Sequence, residues 1–143
     1  MSDTKNVKAG DEITWRGLDG KIVAVDRYAS PGLNWAVWEV QLKGQRQRRW
    51  ITRVKGRLYE TSPGQPEAED PAAELRDQGY RLARQGGVQR EMATLAGRDF
   101  SRCQFAYYLA DDGGIALAIT DRGHTQIFKG HPLDSALVEI FPA

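Results

Sequence analysis

The stretch NWAVWEVQL, Asn34 to Leu42, decides the fold. Ala36, Trp38, Val40 and Leu42 fall on one face of an extended chain, and Val37, Glu39 and Gln41 fall on the other. A period of two with the apolar set on one side predicts a half-buried β-strand. Sixty-seven positions later, Cys103, Phe105, Tyr107 and Leu109 take the places of Ala36, Trp38, Val40 and Leu42 without a gap. The expectation is an all-β chain with an internal duplication: two similar β-meander halves, small-barrel or roll-like, packed as one domain (1–143) with little helix. Period-two alternation and turn placement carry this reading, and unrelated β-proteins share both, so a common fold class remains the alternative to duplication.

Outward from that strand, the first half is expected over 9–61. Strands are predicted at Glu12–Arg16, Lys21–Tyr28, Ala36–Leu42, Arg46–Val54 and Arg57–Thr61. Gly17-Leu18-Asp19-Gly20 is read as a hairpin turn, because Asp-Gly supplies the positive φ of a type I′ turn. Pro31-Gly32, Lys43-Gly44 and Lys55-Gly56 mark the later reversals. Residues 62–73, SPGQPEAEDPAA, are rich in proline and acid and hold no large apolar side chain, so they read as a linker. Within them Asp70-Pro71 has the chemistry to cap and start a helical turn. The second half is expected over 74–142, with Gly86-Gly87 repeating the first hairpin turn in register and Asp111–Gly114 turning the chain after Leu109. Ala136–Phe141 is expected to return as a strand over an exposed edge, and the polar Met1–Lys8 to fray.

The chain has 143 residues, 41% hydrophobic and 27% charged, which suffices for an ordinary core without staples. A net charge of +1 gives no global pull toward nucleic acid or anionic membrane, so an electrostatic function would need local segregation. The single cysteine, Cys103, cannot form an internal disulfide and is expected to be a buried, inert thiol. Nothing near the N-terminus has the apolar core of a signal peptide, and a soluble, cytoplasmic protein is expected.

Gly10-Asp11, the hairpin ending in Val25-Asp26-Arg27-Tyr28, Trp35 with Trp38-Glu39-Val40, and Arg49-Trp50-Ile51 together resemble the bacterial domain of unknown function 4178 family. Gly79-Tyr80-Arg81-Leu82 before Gly86, the aromatic cluster Phe105–Tyr108, Thr120, and Val138-Glu139-Ile140 before Pro142 extend the likeness over nearly the whole chain. The resemblance implies an accessory β-domain, of a kind encoded beside phage-shock-type membrane-stress proteins and polyamine-synthesis-like enzymes. The partner it implies is another protein, and it fixes no residue as functional.

The most distinctive local feature is 43–57, where Lys43, Arg46, Arg48, Arg49, Arg53, Lys55 and Arg57 occur with no acid and with Trp50 among them. Cations that displace counterions from phosphates, beside an aromatic that stacks on a base, are what a nucleic-acid or polyanion surface requires. An edge strand guarded by charge has the same composition, as does a strip covered by Glu60, Glu67, Glu69 and Asp70. Trp35 is a second candidate for an interaction surface, either as an exposed anchor or packed under the Pro31 loop. His124 and His131 lack a further ligand at metal-binding spacing, and no nucleophile, acid–base pair or phosphate loop is recognisable, so no metal, cofactor or catalytic residue is nominated. The leading expectation is a non-enzymatic protein-interaction module. The alternative is a polyanion-binding β-barrel using the strip, and an enzyme of unknown type ranks third.

Overall fold

The structure is a computed structural model that describes residues 4–143. The strands are β1 (Glu12–Trp15), β2 (Leu18–Ser30), β3 (Leu33–Leu42), β4 (Arg49–Val54), β5 (Arg57–Gly64), β6 (Tyr80–Thr94), β7 (Gly97–Ala110), β8 (Ile115–Asp121), β9 (His124–Leu133) and β10 (Val138–Phe141). Among the described residues one helix, α1 (Pro71–Asp77), precedes β6, and a 3-10 turn at Ser135–Leu137 precedes β10.

All ten strands lie in one antiparallel sheet in the order β10-β1-β2-β3-β4-β5-β9-β8-β7-β6, and a further pairing of β2 with β6 closes eight of them into a ring. The ring consists of two meanders, β2–β5 and β6–β9, joined where their last strands pair and where their first strands pair. It is not a clean barrel. β2 is long enough to serve two neighbours in succession: its first residues hold β1, and after a break in register between Ile22 and Ala24 its second part holds β6. Such a bulge bends a strand and strengthens its twist, which lets one strand leave the ring and carry the β1–β10 flap.

Three apolar clusters fill the molecule. Tyr28, Leu33, Trp35, Val37, Val54, Tyr59, Val88, Phe105, Tyr107, Leu117 and Phe128 come from all eight ring strands and form the ring interior. Outside the first meander, Ile22, Val25, Trp38, Val40, Leu42 and Ile51 pack under Ile13 and Trp15 of β1 and Val138 and Ile140 of β10. Outside the second meander, Leu75 of α1 packs on Tyr108, Ala116, Ala118 and Ile127. Strand β3 is therefore buried on both faces, its odd residues to Val37 inward and its even residues outward.

Several expectations need correction. The first hairpin turns at Arg16-Gly17, whose φ values of 52° and 80° suit a type I′ turn, while Asp19 and Gly20 lie inside β2 opposite Thr14 and Ile13. Gly20 serves close packing instead, since a Cβ there would stand 2.6 Å from the Gln41 carbonyl oxygen. Gly86-Gly87 lies inside β6 opposite Phe105 and Gln104, and that hairpin turns at Leu95-Ala96. The offset of 67 also mismatches faces: Trp38, Val40 and Leu42 point outward from the ring, whereas Cys103, Phe105 and Tyr107 point into it. An odd shift in a structure of period two exchanges the faces. Both segments are nonetheless central strands. Strand β4 begins at Arg49, leaving Arg46 to Arg48 in a loop.

The linker is shorter than 62–73. Residues 62–64 continue β5 because β9 offers them a ladder, Pro63 standing opposite Phe128. Helix α1 starts where Asp70-Pro71 predicts: the Asp70 carboxylate accepts from the amides of Ala72 and Ala73, and Pro71 needs no donor at the first turn. The strand expected from Ala136 starts at Val138 and pairs with β1. At the N-terminus residues 1–3 of the expected frayed segment lie outside the described residues, and Val7 is buried in the outer core of the first meander.

Candidate functional site

The basic segment does not form a continuous face. On β4 the alternation sends Arg49 and Arg53 outward and Trp50 and Val54 toward the ring, so neighbours in sequence diverge in space. Arg49 lies over the Trp15 ring, 5.1 Å from its centroid, and pairs with Glu60 at 3.5 Å. Glu60 also holds Arg16 at 3.5 Å. Arg48 is bound to Glu39 at 3.0 Å, and Arg53 donates to Thr4 Oγ1 at 2.8 Å. Trp50 is half-buried against the ring core. The cations left without such partners among the described residues are Lys43 and Arg46 before β4 and Lys55 and Arg57 after it. A six-residue strand separates those two pairs by roughly 20 Å.

The linker acids do not cover the strip. Asp70 is taken up in capping α1, and the exposed segment around Glu67 is tied to that helix by the Glu67 and Ala68 amides, which donate to the Glu74 carboxylate.

Trp35 is not an exposed anchor. Its face of β3 lines the ring, where the indole stacks on Tyr28 with centroids 4.7 Å apart and planes 5° apart, and tilts against Phe105 at 4.9 Å. Its Nε1 has no hydrogen-bond partner among the described residues. Cys103 is buried as expected.

Sequence reasoning missed a polar network at one end of the ring. Asp26 faces the interior from β2, opposite Val37 and Met92. Burial pushes its carboxyl up to about 6; Arg90 opposes this and Glu39 adds to it. Arg90 in turn binds Asp121 at 2.5 Å and donates from Nε to Ser101 Oγ at 3.0 Å. Burial, followed by the Asp26 charge, pushes the Tyr28 hydroxyl upward. These groups lie on four strands, so spacing along the chain gave no signal. Because Arg90 is committed to Asp121 and Ser101, the cluster is a satisfied structural network with one carboxylate, Asp26, in tension.

The second missed feature is the tip of the β6–β7 hairpin. Strand β7 pairs with β8 only over 104–109, so Gly97–Arg102 have a ladder partner on the β6 side alone. Leu95 and Phe100 at this tip are 69% and 70% exposed, the most open large apolar side chains among the described residues. Arg98, Phe100 and Arg102 share the outer face of β7. Beside them Asn6, Lys8, Arg27, Glu91 and Arg98 line a groove of about 750 Å³ between the N-terminal arm and the hairpin. Only Leu95 and Phe100 in the sequence hinted at this surface, and exposure cannot be told from burial by residue type.

Asp112, held below the usual carboxylate range by the Gly114 amide and then by His131, completes a turn in which His131 stands 3.2 Å from it. Among the described residues no three His, Cys, Asp or Glu side chains are placed to hold a metal ion, and no helix is long and apolar enough to cross a membrane. Residues 8–135 match the family model described as Domain of unknown function (DUF4178). No curated protein and no solved structure matches the chain.

Proposed function

We propose that this chain, which belongs to the domain of unknown function 4178 family, is a non-enzymatic protein-interaction module whose contact surface is the tip of the β6–β7 hairpin. The observation that carries the reading is the hairpin's unshared edge together with exposed Leu95 and Phe100. A large apolar side chain held open beside unpaired strand backbone offers a partner both apolar burial and a ladder to complete. The basic segment supports a contact surface less well, because Arg48, Arg49 and Arg53 are already engaged.

A photo-crosslinking amino acid placed at Phe100, and separately at Arg57, tests this in the native host. Specific protein adducts from position 100 and not from 57 are expected. Absence of adducts at 100 sinks the reading. A membrane-stress or polyamine-related protein, the kind of partner the family resemblance implies, is the first identity to look for. Polyanion binding keeps one point in its favour, the free cations Lys43, Arg46, Lys55 and Arg57. Salt-sensitive retention on heparin, lost when these four become Ser, would favour it.

A further inference from the structure

We infer that the free edge of β7 binds an extended acidic peptide by strand addition, the peptide lying beside Gly97–Arg102 in line with β8. The inference rests on the interaction reading above and names the class of partner. An edge without a neighbour presents alternating amide and carbonyl groups that a strand from another chain completes, while side-chain matching on each face sets specificity. Here β8 stops pairing at Gln104, so the continuation of its lane is open along β7.

The chemistry of the occupant follows from the face that meets solvent. Arg98, Phe100 and Arg102 alternate along it, spaced by two residues each. Arg102 has no ion-pair partner among the described residues, and Arg98 reaches Glu91 Oε1 only at 3.9 Å with its side chain 67% exposed. Glu91 is also shared with Arg27 at 3.5 Å, so one carboxylate faces two guanidinium groups. Lys8 beside that pair adds to the local excess of positive charge. A complementary strand therefore carries carboxylates opposite Arg98 and Arg102 with a large apolar residue between them opposite Phe100. On the other face Ser101 accepts from Arg90 and Asp99 is exposed, so a carboxylate of the occupant is excluded there, while the pairing with β6 keeps the edge in strand geometry without a ligand.

The same features would serve as protection, since charged residues discourage edge-to-edge pairing. A hairpin tip with two apolar side chains and nearby cations also suits an anionic bilayer. The unpaired ladder favours the peptide, because a membrane surface makes no use of backbone groups in register.

The probe is a fluorescein-labelled heptapeptide, Thr-Glu-Thr-Phe-Thr-Glu-Thr, with acetylated and amidated ends, titrated against the full chain. Two N-methylated versions block its amides at odd or at even positions. Saturable binding is expected, weakened at least tenfold by Arg98→Glu with Arg102→Glu and by Phe100→Ala, and abolished by N-methylation of one parity only. The variants should melt with the wild type, since the positions are exposed. Binding that ignores N-methylation, or that persists when the peptide carries Lys for Glu, overturns the inference. So does failure to bind peptide combined with hairpin-dependent binding to phosphatidylglycerol vesicles, or with self-association of Arg98→Ser, Arg102→Ser, which would identify membrane docking or simple edge protection. If crosslinks form at position 100 while the peptide does not bind, the interaction reading stands and the acidic occupant alone fails.

Discussion

In the first meander the central strand β3 is buried on both faces, with Trp35 and Val37 against the ring interior and Trp38, Val40 and Leu42 beneath the β1–β10 flap. In the second meander the central strand β7 is buried inside by Cys103, Phe105 and Tyr107, but outside only Ala106 and Tyr108 lie under a cover, the seven-residue helix α1. Beyond them Gln104, Arg102 and Phe100 face solvent. The first meander thus has two cores and the second has one and a fraction. Apolar burial is the main favourable term in folding, so stability concentrates in the first meander and open surface in the second.

The largest expected effect tests that division directly. Trp38 is 1% exposed and sits in the outer core, so Trp38→Ala should destabilise by about 4–5 kcal/mol in urea denaturation. Phe105→Ala, which removes a smaller ring from the shared interior, should cost about 3–4 kcal/mol. A Phe105 variant less stable than the Trp38 variant would reverse the assignment of the stronger core.

Leu75 gives the next effect. It is the one buried residue of α1 and is fully enclosed, so Leu75→Ala loses a well-filled site. The cost has a ceiling, because a helix of seven residues can detach while the sheet stays closed. About 2–3 kcal/mol is expected, with amide exchange faster in α1 than in β8. Equal acceleration in both would show that the helix is part of one cooperative unit with the sheet.

Asp26 sharpens the comparison through pH, since it stands where the meanders meet at the β2–β6 seam. Its folded value is about 6 against an ordinary 3.8, so between those values the folded state holds more protons than the unfolded one. Stability therefore falls as pH rises through this window, and the penalty is fully present above about 6. Asp26→Asn should raise stability at pH 7.5 by about 1–2 kcal/mol relative to wild type, allowing for partial exposure, and the gain should vanish near pH 4. A pH-independent difference would show that the effect lies in packing and not in ionisation.

Alternation and turn chemistry made the strands legible, because both are local. The core residues of β3 and β7, the Lys55-Gly56 turn and the Asp70 cap all stand where local rules place them. The first hairpin misled because Asp-Gly is the stronger turn pair, yet the chain uses Arg16-Gly17, and Arg122-Gly123 has the same pair of φ values, 52° and 81°. Gly20 is instead dictated by the carbonyl of Gln41 across the sheet, a contact with no trace in sequence order. Ring closure by β2 and β6, the Asp26–Arg90–Asp121 network and the unshared edge of β7 all depend on which strands become neighbours. Periodicity fixes a face and leaves the neighbour open. The candidate strip failed for a related reason: seven cations consecutive in composition lie on a loop, two strand faces and a turn.

The smallest expected effect separates those cations from one another. Arg49 is held over Trp15 and against Glu60, while Arg46 lies exposed in the loop before β4 without a partner. Exposed cation–π contacts and surface ion pairs each contribute about 0.5–1 kcal/mol, so Arg49→Ser should cost about 1 kcal/mol and Arg46→Ser nearly nothing. The loss at Arg49 should shrink only partly in 0.5 M salt, because the stacked guanidinium also covers the Trp15 ring and that contact is not screened as an ion pair is. Equal and negligible effects at both positions would mean that Arg49 is free in solution. The basic segment would then gain a free cation beyond Lys43, Arg46, Lys55 and Arg57, and polyanion binding would gain ground against a hairpin-centred surface in the second meander.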